Sequence, residues 1–174
     1  MNINDMNYLY PKLEKEFGTP LYIYFEQVML DRIGEILSLF EGYDFHPTFA
    51  LKANLNPRLL EIISRAGIGA DVVSPGELHC SELAGIDTGE VIWNGNGKTE
   101  EEMELFLKKR IGIVNIDSFE ELKSWSEVLG SSSYIPKFFV RINPEVDANT
   151  HPHISTGLNR HKFFYRRRLM NTGS

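Results

Sequence analysis

Thr48-Phe49-Ala50-Leu51-Lys52-Ala53-Asn54-Leu55-Asn56-Pro57 is the stretch on which the fold turns. Phe49, Ala50 and Leu51 form a short apolar run, bounded upstream by Pro47 and downstream by Asn54, Asn56 and Pro57. That pattern predicts a buried strand ending on Lys52. In barrels of alternating strands and helices, the carboxyl ends of the strands carry the chemistry. A lysine partly withdrawn from water there loses its proton more readily, and the free amine attacks aldehydes to form a Schiff base. Standing alone, a strand-end lysine reads as a solvated surface amine. Here other strand ends accompany it.

Working outward, strands are expected near Thr48–Lys52, Ala70–Val73, Val91–Trp93, Gly112–Ile116 and Lys137–Ile142, each a little over twenty residues after the last. The intervals carry helical patterns with their own start signals. Ser74-Pro75-Gly76-Glu77 offers a capping hydroxyl, a first-turn proline and a glutamate in capping-box register. Thr99-Glu100-Glu101-Glu102 does the same, with Lys108, Lys109 and Arg110 at the negative end of the helix. Asp117 or Ser118 caps a helix that passes Trp125 and stops at Gly130. Such alternation means parallel βαβ units, and periodicity leaves a (β/α)8 barrel and a doubly wound sheet both open. Upstream, Asn7–Phe17 and Val28–Phe40 have helical spacing, while Leu21–Phe25 is a β-rich run too apolar to stand alone.

At 174 residues, with 42% hydrophobic and 24% charged side chains, the chain has room for one domain with a core. No apolar run nears the roughly 20 residues of a membrane span, and the start, Met1-Asn2-Ile3-Asn4-Asp5, lacks the features of a secretory signal. The single cysteine, Cys80, rules out an internal disulfide and fits a reducing cytoplasm; on its helix it reads as a packed small hydrophobe. Net charge is −6, yet from Asn159 onward Arg160, Lys162, Arg166, Arg167 and Arg168 stand without an acidic neighbour, so the body is more acidic still. An acidic body argues against nucleic acid as a main partner.

Phe49–Asn54, Gly69-Ala70-Asp71-Val72-Val73-Ser74-Pro75-Gly76-Glu77, Phe138-Phe139-Val140-Arg141-Ile142-Asn143-Pro144 and His151-Pro152-His153-Ile154-Ser155-Thr156-Gly157-Leu158 together resemble the pyridoxal-phosphate-dependent decarboxylases built on the alanine-racemase-like barrel. His151–Leu158, following Arg141–Pro144, resembles the branch that decarboxylates meso-2,6-diaminopimelate to L-lysine. The resemblance runs from about Tyr8 to Phe163. It implies a partial (β/α)8 barrel of the α/β class, a cytoplasmic enzyme with a small amino acid as substrate, pyridoxal 5′-phosphate as cofactor, no metal, and a homodimer for the full-length family. Ornithine, arginine or carboxynorspermidine as substrate keeps the same fold, and a catalytically dead relative that binds or regulates is a reading from another class. Retention of Lys52 speaks against the last.

The resemblance also implies roles. Lys52 holds the cofactor covalently through its amine. Asp71, at the end of the next strand, brings a carboxylate near Lys52 and the cofactor; the commoner fate of such an aspartate is to cap turn amides. Glu77 lies close to the active site and serves equally well as a capping-box acid. Arg141 ends the fifth strand, either as a solvated rim arginine or as a fixed charge beside the lysine–aspartate pair or the cofactor's phenolic oxygen. His151 and His153 lack further ligands at metal spacing and read as part of a loop that shapes the substrate pocket, with His153 in the vicinity of the active site. Asn94-Gly95-Asn96-Gly97-Lys98 lacks the spacing of a phosphate loop and reads as a rim turn that needs positive φ.

The chain also departs from the family pattern. About five of eight βα units are expected, without the later strands or the C-terminal β-domain of the relatives. The expected division is an N-terminal segment at 1–27, partner to that β-domain, a partial barrel at 28–163, and a divergent basic tail at 164–174. A frame change or early stop accounts for the tail. An unclosed barrel is expected to leave apolar area facing water.

Overall fold

The computed structural model describes residues 3–130 and 132–142, the side chains from residue 8 onward. The chain divides into two compact units, Met1–Phe45 and His46–Ser174. The first holds helices α1 (Ile3–Phe17) and α2 (Glu26–Ser38). No residue of α2 is buried, and Leu21–Phe25 forms no strand. An apolar β-rich run becomes a strand only beside a partner, and no described strand pairs with it.

The second unit alternates β1 (Thr48–Ala50), α3 (Pro57–Arg65), β2 (Gly69–Val72), α4 (Pro75–Leu83), β3 (Val91–Trp93), α5 (Glu100–Lys109), β4 (Ile113–Ile116), α6 (Phe119–Leu129) and β5 (Lys137–Val140). All pairings are parallel and the strand order is β1-β2-β3-β4-β5. A doubly wound sheet reverses its order at a switch point. This sheet never does, as a barrel wall requires.

Side chains alternate across it. Ala70, Val72, Val91, Trp93, Val114 and Ile116 are buried on the helix-covered face, whereas Asp71, Ile92, Ile113 and Asn115 between them are partly open. Trp93 stacks on Phe106 of α5 at 3.7 Å between centroids and meets Trp125 of α6 edge-on at 6.0 Å; Trp125 meets Phe138 of β5 at 5.2 Å. This aromatic run ties three helix–strand layers together, each ring contributing roughly 2 kcal/mol or more by burial.

The helix starts share one device. Ser74 and Ser118 each accept from the amide of the glutamate three residues on, Glu77 and Glu121. Those glutamates reach back past the cap: Glu77 Oε2 accepts from Val73 N at 2.7 Å and Glu121 Oε2 from Asp117 N at 3.1 Å. Only at α5 is the reciprocal box the one expected, with Thr99 and Glu102 satisfying each other's amides. Ser118, and not Asp117, is the cap of α6.

The apolar exposure expected of an unclosed wall is present. Val140 is 56% and Ile142 67% exposed. Both line a 460 Å³ cavity with Ile116, Phe119 and Leu122. Among the described residues no helix is long and apolar enough to cross a membrane.

Candidate functional site

The candidate site lies at the carboxyl ends of β1 to β5. Past Ala50 the chain tightens into a 3-10 turn, Leu51–Ala53. Leu51 takes the fully buried position, and Lys52 is thereby turned outward and exposed. Asn54 Oδ1 then accepts from Asn56 N, and Asn56 Oδ1 caps α3 through Arg58 N ahead of Pro57. The partial withdrawal from water expected for Lys52 is therefore corrected. Its amine has no hydrogen-bond or ion-pair partner among the described residues.

Asp71 is the register neighbour of Ala50, two residues before Lys52 in the adjoining strand. Among the described residues its carboxylate makes no ion pair with Lys52; Asp71 Oδ1 accepts from Asn94 Nδ2 at 2.6 Å, and Asn94 Oδ1 accepts from Asn115 Nδ2. Trp93 and Val114 are register partners on the helix-covered face, so Asn94 and Asn115, one residue on, share the opposite face with Asp71.

Glu77 is buried and spends its carboxylate on the Val73 amide, so the local capping task is the one observed. Arg141 N continues the sheet by donating to Ile116 O, and its guanidinium lies 3.7 Å from Asp117 Oδ1. His153, and with it the loop around His151, lies outside the described residues.

Sequence reasoning missed the most buried charges. Gly95 and Gly97 do adopt positive φ, as a rim turn requires. Lys98 then folds inward until its side chain is 2% exposed, and its amine donates to Gly95 O, Asn115 O and Glu121 Oε1 at 2.5, 2.7 and 2.8 Å. Glu121 Oε1 also accepts from Trp125 Nε1. Asp117, 8% exposed, stands between Lys98 at 3.8 Å and Arg141 at 3.7 Å, and among the described residues neither of its oxygens has a hydrogen-bond partner. Burial pushes its carboxyl above the ordinary range; Lys98 and Arg141 draw it down and Glu121 pushes it up.

An aldehyde-bearing cofactor with an anionic phosphate needs an accessible amine and fixed charges around it. The exposed amine of Lys52, unpaired among the described residues, fits the aldehyde end of such a group, with the Asp71 carboxylate on the adjoining strand; Arg141 puts a cation at the end of β5, the opposite edge of the described sheet.

Residues 29–168 match the family profile described as the pyridoxal-dependent decarboxylase, pyridoxal binding domain. The chain belongs to this family. Among relatives of this pyridoxal-binding domain, diaminopimelate decarboxylase of Aquifex aeolicus is 37% identical over 152 residues, and that of Vibrio cholerae 41% over 152. Each match covers 87% of this chain and 36% of the relative, so the chain spans little more than a third of their length. The crystal structure of diaminopimelate decarboxylase from Helicobacter pylori, complexed with L-lysine, superposes with a TM-score of 0.80 at 36% identity, over 89% of this chain and 39% of that one. The lysine/ornithine decarboxylase of Vibrio vulnificus, at 17% identity and a TM-score of 0.69, shares the fold.

Proposed function

We propose that this chain is the cofactor-anchoring portion of a pyridoxal-phosphate-dependent decarboxylase acting on meso-2,6-diaminopimelate, with Lys52 as the covalent anchor. What carries the reading is an exposed amine one turn beyond β1, unpaired among the described residues, with Asp71 in register with Ala50 on the adjoining strand. The choice of substrate is supported by identities of 35% to 41% to diaminopimelate decarboxylases, set against 17% for the lysine/ornithine enzyme.

When bound, pyridoxal phosphate supplies the electron sink for the charge left as carbon dioxide departs. The chain's own residues bind and orient. Lys52 Nζ holds the aldehyde end, and no neighbouring carboxylate has to be displaced first. Asp71 places a carboxylate at the end of the strand adjoining the one that leads to Lys52. Arg141, steadied by Asp117, places a cation on the same rim. Glu77 acts at one remove by fixing the Val73–Ser74 turn that follows Asp71. A homodimer of the whole enzyme, with a substrate pocket shaped in part by His153, belongs to this proposal.

The experiment is reductive trapping. The chain is mixed with pyridoxal phosphate, reduced with borohydride and mapped by mass spectrometry. Label concentrated on the Lys52 peptide and lost in Lys52→Ala supports the reading; label spread evenly over exposed lysines refutes it. Lys52→Ala is expected to shift stability by less than about 0.5 kcal/mol, since its amine has no partner to lose. For the substrate, meso-diaminopimelate is expected to release cofactor from Lys52 faster than ornithine or arginine; equal release by all three refutes the assignment.

A further inference from the structure

Asp71, Asn94 and Asn115 form a hydrogen-bonded row across the ends of three neighbouring strands, and the row has a direction. Asn94 Nδ2 donates to Asp71 Oδ1, and Asn115 Nδ2 donates to Asn94 Oδ1. A carboxylate has no proton to give. Asn94 must therefore turn its NH2 toward Asp71 and its carbonyl toward Asn115, which must answer with its own NH2. The backbone at the far end is held as well: the main-chain carbonyl of Asn115 accepts from Lys98 Nζ, which also holds Gly95 of the loop after β3 and Glu121 of α6. Asp71, Asn94 and Asn115 are all part-buried, so an amide turned the wrong way would leave two oxygens facing each other with little water to separate them.

The geometry points to Asn94 and Asn115 as positioning residues that deliver the Asp71 carboxylate, fixed in place, to the strand end beside Lys52. The inference rests on the reading of Lys52 as the cofactor's anchor. Both asparagines act through Asp71. A row polarised the other way would carry its charge to β4, away from β1.

This polarity makes the inference testable by reversal. In Asn115→Asp, carboxylates at both ends compete for the single NH2 of Asn94, and Asp71 loses its donor or its charge. In the double variant Asp71→Asn with Asn115→Asp, the whole row can reverse, so every hydrogen bond is restored while the charge sits on β4. The readouts are the rate of pyridoxal-phosphate labelling of the Lys52 peptide and the thermal melting point of the full chain.

Asn115→Asp is expected to slow labelling about tenfold, the scale of one lost charge-assisted hydrogen bond, and to melt earlier. The double variant is expected to regain the melting point and still label slowly. Labelling of Asn115→Asp at the wild-type rate overturns the inference. So does a double variant that regains labelling, because the position of the charge would then be immaterial, and so does one that fails to regain stability, because the row would then not be reversible. Should Asn115→Asp fail to fold, the double variant decides alone by the same criteria. Wild-type chain that takes no label on Lys52 refutes the anchor reading and this inference with it, whereas slow-labelling variants beside a labelled wild type bear on the asparagines only.

Discussion

Lys98 Nζ lies 2.8 Å from Glu121 Oε1, with the two side chains only 2% and 8% exposed, and the pair joins the loop after β3 to the first turn of α6. Removing one partner of such a pair strands a charge in a place water does not reach.

Lys98→Met is accordingly expected to cost about 3–5 kcal/mol in urea unfolding, because Glu121 and two carbonyls lose their donor together. Adding Glu121→Leu is expected to return part of that loss, since no buried charge is then left unpaired. The m-value should stay constant across the series. Additive costs in the double variant would show that the two side chains do not act as a pair.

Asp117 sets a pH dependence of definite sign. Its carboxyl is raised above its ordinary value of 3.8 chiefly by burial, so between 3.8 and the raised value the folded chain binds more protons than the unfolded one. Its contribution to stability is thus most favourable in acid and is lost as pH rises through that interval. Asp117→Asn keeps the shape and removes the titration. The melting point of this variant relative to wild type is expected to rise from pH 4 toward neutrality, and a flat difference would contradict the assignment. The groups that face Asp117 are Lys98, Arg141 and Glu121.

Glu77→Ala is expected to destabilise by about 1–3 kcal/mol, as it leaves the Val73 amide without its acceptor. Glu77→Gln keeps an acceptor oxygen in place and should lose much less. Equal losses by equilibrium unfolding would mean that the charge, and not the cap, is what counts.

Gly112 sits immediately before β4, against the chain of the preceding unit: a Cβ there would lie 1.9 Å from the Gly89 carbonyl oxygen. The obstacle is backbone, so Gly112→Ala is expected to cost about 3 kcal/mol or to unfold the barrel wall, against a smaller effect at Gly76, where the nearest atom is Ser74 Oγ at 3.8 Å. Chemical denaturation of the two alanine variants makes the comparison.

Much of the wall was legible because its determinants are local. Ser74 and Thr99, with glutamates three residues on, announce two helix starts, and each forms where expected; a third start, open between Asp117 and Ser118, falls on Ser118. The choice of barrel over doubly wound sheet was not legible in the period, because strand order depends on contacts between units. Lys98 shows the limit most clearly. In a glycine-rich turn it reads as solvated, and its partners Asn115 and Glu121 belong to the next βα unit. Asn94 falls in the expected rim turn and Asn115 in an expected strand; only the register of β3 on β4 puts them on one face. Asp71 stands in register with Ala50, two residues before Lys52, and its carboxylate takes the amide of Asn94, a donor that sequence alone had not singled out.

The strand order has a consequence for biogenesis. In the described sheet each strand after β1 lies against the one made just before it, so on emerging from the ribosome it meets a mate already present. The wall can lengthen by one layer at a time, like courses of brick, and its newest course is always the one still unprotected.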